Sequence, residues 1–276
     1  MDNALFHDAP LDAAVMPDSE ALFIESGGSR MFGRILLPAR QREEDTCPVI
    51  LMAHGYPGNE KNYDLAQLFR MAGLAAVYFS YRGVWGSKGT YSPSHIIEDT
   101  LSAAEHIRSL PPEMHVDPRR LYVFGHSMGG FAMVNALAAG MKARGAFLMS
   151  PCDFSAKYLR FPDSFQKLND ERKEGYFTLE KENAIEEEMA LHAPEWSFLR
   201  AAEQMDTGMP YFFIGGTRDT ATPAKNHIFP LMEALKKRGA QVNYLELEDS
   251  HDYPGSRFRV AEHVVTSIAA LEGRSI

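Results

Sequence analysis

Short apolar runs separated by helix-patterned segments restrict this chain more than any other feature. Val49–Ala53 reads VILMA, with no polar residue, as a strand covered on both faces must. Further strand-like runs follow at Ala75–Tyr81, Leu121–Gly125, Ala146–Ser150, Tyr211–Gly215 and Val242–Leu247. Between them lie helical patterns at about Lys61–Met71, His95–Arg108, Gly129–Ala139, Ala224–Arg238 and, after the last strand, Arg257–Leu271. In the second of these, Ile96, Ile97, Leu101, Ala104 and Ile107 recur at helical spacing. Strands that alternate with helices need crossover connections, so the expected fold class is α/β, a mostly parallel sheet with helices on both faces. Upstream, Ala21–Glu25 and Met31–Leu37 flank Gly27-Gly28-Ser29, a hairpin signal.

The alternation stops at Pro151 and resumes only at Tyr211. From 151 to 206 the chain reads as helix and loop, inserted after the sixth strand. It carries aromatic residues at Phe154, Tyr158, Phe161, Phe165, Tyr176, Phe177, Trp196 and Phe198. The expected division is a lead-in over 1–20, one α/β domain formed by 21–150 and 207–276, and a helical cap over 151–206. Such an insertion lies over or beside the carboxyl ends of the strands, where α/β sheets place their sites.

Charge narrows the function. Of a formal net charge of −9, the segment 151–206 supplies −6, with thirteen acidic against seven basic residues. An acidic chain without a Lys/Arg cluster is a poor ligand for nucleic acid, and an acidic cap disfavours strongly anionic substrates. Cys47 and Cys152 are too few for a disulfide scaffold and read as reduced core thiols. The first twenty residues have neither a basic nor an apolar leader region, and no apolar run approaches the ~18 residues of a membrane span. A soluble, cytoplasmic protein is therefore expected, with its oligomeric state open to homo-oligomers.

The sharpest local pattern is Gly125-His126-Ser127-Met128-Gly129-Gly130, which fits G-x-S-x-G. Alone it is weak, but here an apolar strand precedes it and an Ala-rich helix follows, the context a nucleophile elbow needs. The turn lifts the Ser127 hydroxyl above the sheet at a helix N-terminus, where developing negative charge is favoured. A serine needs a general base, and the base an orienting carboxylate. Among the downstream histidines, His192, His227 and His263 read as ordinary surface positions, whereas His251 directly follows a strand and can swing over the sheet edge. Asp219, between a buried strand and a helix, suits the carboxylate. Asp249 and Asp252 lie awkwardly close to His251 in sequence, and Asp153, just after a strand, is the better alternative. Two backbone donors must meet the oxyanion. They are assigned to the N–H groups of Met128 and of Tyr56 in His54-Gly55-Tyr56-Pro57-Gly58, since Pro57 cannot donate.

With Tyr81-Arg82-Gly83, Gly86-Ser87-Lys88-Gly89, Asp117-Pro118-Arg119, Gly216-x-x-Asp219-x-x-x-Pro223 and Ser250-His251, these motifs resemble the α/β-hydrolase superfamily over Ala21 to Leu271. More narrowly, the chain is similar to small esterase-like relatives of the prolyl-oligopeptidase and acylaminoacyl-peptidase catalytic domain. The resemblance implies a Ser127–Asp219–His251 triad, an oxyanion hole from Tyr56 and Met128, and no cofactor or metal. The oligopeptidase members carry a large N-terminal β-propeller, and with only about 20 residues before the first strand here a gated oligopeptidase is not expected. The expected activity is thus hydrolysis of a small or medium carboxylic ester, declining as pH falls through roughly 6–7 because the base must be neutral. Peptidase, amidase, thioesterase or acyltransferase chemistry is the alternative, and a non-catalytic binding protein the remote one.

Several neighbours carry open readings. Tyr56 and Trp85 are placed to line the acyl or alcohol pocket, with plain packing as the other reading. Arg82 could meet an acidic substrate group, although a structural salt bridge explains it more simply. The cap aromatics could form a lid or just the cap's own core. Glu186-Glu187-Glu188 reads as a solvated helix face, and His54 and His126 as shape-setting residues.

Overall fold

Cys47–Ala53 (β3) is buried at every position, as its unbroken apolar run requires. It pairs in parallel with Ala75–Phe79 (β4) on one side and Val116–His126 (β5) on the other. Gly145–Met149 (β6), Tyr211–Gly216 (β7) and Val242–Leu247 (β8) extend the parallel sheet beyond β5. At the opposite edge, the hairpin Asp18–Ser26 (β1) and Ser29–Leu37 (β2) joins β4 antiparallel. The order across the eight strands is β1-β2-β4-β3-β5-β6-β7-β8. The computed structural model describes all residues except 1–4, 7, 11, 57, 59–60, 161–174 and 275–276, so Pro57, Phe161 and Phe165 lie outside the described residues.

Each central strand feeds two cores because successive side chains point to opposite faces. Val49, Leu51 and Ala53 face a cluster that includes Pro93–Arg108 (α2) and Met128–Ala138 (α3). Ile50 and Met52 face the other, built with Tyr63–Met71 (α1) and the long helix Arg257–Leu271 (α9). Helices on both faces bury the sheet, as the α/β reading expects.

Three departures from the sequence reading have local causes. β5 starts at Val116, five residues before Leu121, and a register shift against β3 between Cys47 and Val49 accommodates Pro118, which cannot donate to a regular ladder. The single helix expected over Ala224–Arg238 is broken into Ala224–His227 (α7) and Phe229–Lys237 (α8). Pro230 causes the break, since its ring would meet the carbonyl of Asn226 in a continuous helix.

The third departure concerns the segment between β6 and β7. It contains Phe154–Arg160 (α4), Ala184–His192 (α5) and Phe198–Gln204 (α6). Helix α6 packs against α3 and α8, within the layer of crossover helices. Neighbouring parallel strands need such a crossover, so α6 serves the sheet and the excursion proper ends near residue 197, not 206. Asp153 marks its base: Oδ1 accepts the N–H of Ala156 at 3.0 Å and Oδ2 that of Phe198 at 3.2 Å. Glu188, read from sequence as solvated, instead accepts the backbone N–H and the hydroxyl of Ser94, each at 2.9 Å. That bidentate contact ties α5 to the first turn of α2.

Candidate active site

Ser127 sits between β5 and α3 with φ 55° and ψ −116°, a conformation that costs roughly 1–3 kcal/mol and persists only where surroundings enforce it. The enforcing contacts are tight. A Cβ on Gly125 would lie 2.6 Å from the Gly129 carbonyl oxygen, and one on Gly129 would overlap that of Ala53. The Ser127 N–H donates to the Met149 carbonyl at 3.1 Å, and its carbonyl accepts from Gly130, Phe131 and Cys152. The hydroxyl is thereby held at the carboxyl end of β5, beside the first turn of α3.

The structure brings Ser127, His251 and Asp219 together from three loops. His251 Nε2 lies 2.8 Å from Ser127 Oγ, and Nδ1 lies 2.9 Å from Asp219 Oδ2. Facing a carboxylate, Nδ1 carries the proton, which leaves Nε2 as an acceptor for the serine hydroxyl. Asp219 Oδ1 accepts the N–H groups of Ala221 and Thr222, each at 2.9 Å. Oδ2 also accepts the hydroxyls of Ser150 at 2.6 Å and Thr222 at 2.9 Å. Burial pushes this carboxyl up, but the hydrogen bond and charge of His251, with the donors from Ser150 and Thr222, outweigh it. The net effect holds Asp219 well below the usual carboxylate range.

The family model described as "Alpha/beta hydrolase family" matches residues 50–262. The chain belongs to this family. Among curated relatives, the uncharacterized protein YfhR of Escherichia coli K12 is 29% identical over 119 residues, 43% of this chain and 41% of YfhR. The uncharacterized peptidase YuxL of Bacillus subtilis 168 is 30% identical over 124 residues, 41% of this chain and 18% of YuxL. The aligned part thus spans less than half of either relative. A puromycin hydrolase structure superposes with TM-score 0.74 at 19% identity, over 98% of this chain and 41% of that one. Est1E from Butyrivibrio proteoclasticus gives 0.64 at 16% identity, over 92% of this chain and 99% of its own. At such identities the structures speak for the fold, an α/β-hydrolase sheet.

Around Ser127, His251 and Asp219 lie groups that sequence reasoning passed over. Ser150, at the end of β6, and Tyr253 both have positive φ, 43° and 54°. Their oxygens lie 2.7 Å apart, and with the Ser150 proton given to Asp219, the single Tyr253 O–H is shared between Ser150 Oγ and the Ile214 carbonyl, 3.2 Å away. A chain of hydroxyls therefore backs Asp219. Its only sequence signals are proximity, Tyr253 two residues after His251 and Ser150 at a strand's carboxyl end. The His126 ring donates from Nε2 to the His251 carbonyl at 3.0 Å, tying the elbow to the histidine loop. Burial drives His126 down to about 3, with the neighbouring His251 adding to the effect, so the ring stays neutral.

Other expected residues fall elsewhere. Asp153 is absorbed by its two helix caps, and Asp249 binds the N–H groups of Ser250 and Gly255, so neither carboxylate meets His251. His227 is buried, its Nδ1 accepting the Asp153 N–H at 3.1 Å, and His263 is half-buried against Phe212, so the surface reading of both is corrected. Arg82 is likewise corrected as a substrate contact. It is buried, and its guanidinium bonds Asp99 through Nε and Glu98 through Nη2, the structural salt bridge that the sequence reading set against a substrate contact. Trp85 is part-exposed beside Gly58, with Lys61 Nζ 5.1 Å from its ring and Tyr176 5.7 Å away, at the rim of the His54–Gly58 loop. Gly55 adjoins Ser127, since a Cβ there would be 3.1 Å from the Ser127 Cβ. The Tyr56 ring stacks on Phe177 at 5.0 Å. Cys47 and Cys152 are buried free thiols, and burial pushes Cys152 up to about 12, out of the range of a nucleophilic thiolate.

Proposed function

We propose that the hydrolase cleaves a small or medium carboxylic ester by acyl transfer through Ser127. The observation that carries this reading is the pair of contacts made by one imidazole, 2.8 Å to Ser127 Oγ and 2.9 Å to Asp219 Oδ2. His251 Nε2 takes the hydroxyl proton as Oγ attacks the ester carbonyl. Asp219 fixes the tautomer and stabilises the imidazolium. The tetrahedral oxyanion is met by the N–H groups of Met128 and Tyr56. Met128 is the first residue of α3 and so has no partner for its N–H within the helix. On collapse, the imidazolium protonates the departing alcohol, and the freed His251 then activates water to release the acid. Every proton is carried by the chain itself, so the scheme calls on no cofactor or metal.

The alternative is an amide or peptide bond, favoured by the names of the puromycin hydrolase and of YuxL, an uncharacterized peptidase. The acyl-enzyme chemistry is common to both, and only the leaving group differs. Buried free thiols support a reducing, cytoplasmic setting. A panel of p-nitrophenyl esters of graded chain length set against aminoacyl-anilides separates the two substrate classes. Ser127→Ala should lower kcat by several orders of magnitude on whichever class is turned over. Retained turnover in that variant would sink the mechanism.

A further inference from the structure

The two residues proposed to donate to the oxyanion come from different loops, yet both packing trails lead to one side chain of the excursion. The Tyr56 ring lies parallel to Phe177, 5.0 Å between centroids and 9° between planes. On its other side Phe177 meets Tyr91, 4.8 Å away. Tyr91 is buried, and its hydroxyl donates to Met128 Sδ at 2.8 Å. The series Tyr56–Phe177–Tyr91–Met128 therefore links the two residues whose N–H groups the acyl-transfer reading assigns to the oxyanion.

Phe177 is itself firmly seated. It forms a β-bridge with Val84, Thr178 donates to the Gly83 carbonyl at 2.8 Å, and Tyr91 donates to the Thr178 carbonyl at 2.7 Å. The approach is close enough to demand glycine. A Cβ at Gly83, where φ is +75°, would lie 2.5 Å from the Tyr91 nitrogen and 2.7 Å from the Thr178 oxygen. Farther along the excursion, Glu188 on α5 fastens to Ser94 at the start of α2. Thus the segment touching Tyr56 is sewn to the 83–91 loop, not laid loosely over it.

We infer that Phe177 is a positioning residue that fixes the spacing of the Tyr56 and Met128 donors, so that the oxyanion hole is complete only when the excursion is seated. This rests on the acyl-transfer reading of Ser127. Its physical basis is that preorganised donors stabilise the transition state only when held near their working geometry, and displacement by about 1 Å can cost on the order of 10²-fold in rate. Removing the ring frees the Tyr56 loop and one face of Tyr91 while leaving Ser127, His251 and Asp219 untouched.

The test uses the full chain with Phe177→Ala, Phe177→Leu and Phe177→Tyr. Readouts are kcat and KM on a p-nitrophenyl ester and Ki for an aryl trifluoromethyl ketone, which adds to Ser127 Oγ and places a tetrahedral oxyanion in the hole. Phe177→Ala is expected to lower kcat by roughly 10–100-fold with KM within about threefold, and to raise the ketone Ki by the same factor as kcat/KM falls. Phe177→Tyr should restore near wild-type values, and Phe177→Leu should fall between, serving also if the alanine variant does not fold. A raised KM with unchanged kcat would make Phe177 a wall of the substrate pocket and overturn the inference. So would a fall in kcat with the ketone Ki unchanged. Labelling of wild-type Ser127 by a fluorophosphonate separates the levels. Labelling with kcat and Ki unmoved in Phe177→Ala overturns this inference alone, whereas no labelling overturns the acyl-transfer reading and this inference with it.

Discussion

Lowering the pH from 7 to 5 should destabilise the protein through two histidines in the segments that pack around Ser127. His54 and His126 are both buried. Burial lowers His54 to about 3, against a partial restoring effect of its hydrogen bond to the Gly55 carbonyl and helped by the nearby Lys61 charge. His126 is lowered to about 3 as well. The unfolded chain binds a proton at each ring near pH 6.5, so the folded state is fully favoured above that value and loses ground as pH falls from 6.5 toward 3. Between pH 7 and 5 each ring accounts for about 2 kcal/mol, and the pair for about 4 kcal/mol, a large share of a typical 5–15 kcal/mol. Asp99 and Asp153, raised by burial, act in the opposite sense and return some stability at the acid end. Urea unfolding at pH 7, 6 and 5 measures the net effect. With a slope of about 3 kcal/mol per M, the midpoint should fall by about 1 M. His54→Gln and His126→Gln should each remove about half of that pH dependence. A midpoint that stays level from pH 7 to 5, or a dependence unchanged in both variants, would refute the reasoning.

Four further outcomes follow from the geometry. Asp219→Asn should keep the fold and lower kcat by about 10³–10⁴ at neutral pH, because an amide cannot hold the imidazole in the required tautomer; steady-state kinetics read it directly. Arg82→Ala leaves the Asp99 carboxylate buried without its cation and should cost about 3–5 kcal/mol, seen as a melting temperature lower by roughly 10 °C. Glu98→Gln, at the half-exposed partner, should cost under about 1 kcal/mol. Ellman's reagent should find no reactive thiol in the native protein and two after denaturation, since Cys47 and Cys152 are buried and burial raises both thiols.

Residue patterns reveal the sheet because burial on two faces leaves short apolar runs, as in VILMA at 49–53, that recur between helix-patterned segments. They also reveal Ser127, whose turn demands glycines at fixed offsets, and they nominate Asp219 and His251 through strand-end positions in the right order. What they hide is whatever depends on partners distant in the chain. Ser150 looks like any strand-end serine until Asp219, 69 residues on, accepts its proton. Glu188 sits in an acidic run that reads as solvated, yet its partner is Ser94. Arg82 follows a strand, where ligands bind, but Asp99 and Glu98 on α2 claim it first. Where composition alone was the guide, as in 151–206, a crossover helix was folded into the insertion because both are simply helical.

Asp153 gives that excursion a property of its own. A single carboxylate caps Ala156 on the way out and Phe198 on the way back, so the chain leaves and re-enters the sheet domain at one point. Whatever lies between closes on itself, and closure entropy changes by only about 0.6 kcal/mol for each doubling of loop length. The sheet, the elbow and α6 need not register how long the excursion is. In modular terms, Asp153 is a fixed socket: length can be gained or lost between its two caps without moving the sheet, provided Phe177 and Glu188 keep their contacts with Tyr56, Tyr91 and Ser94.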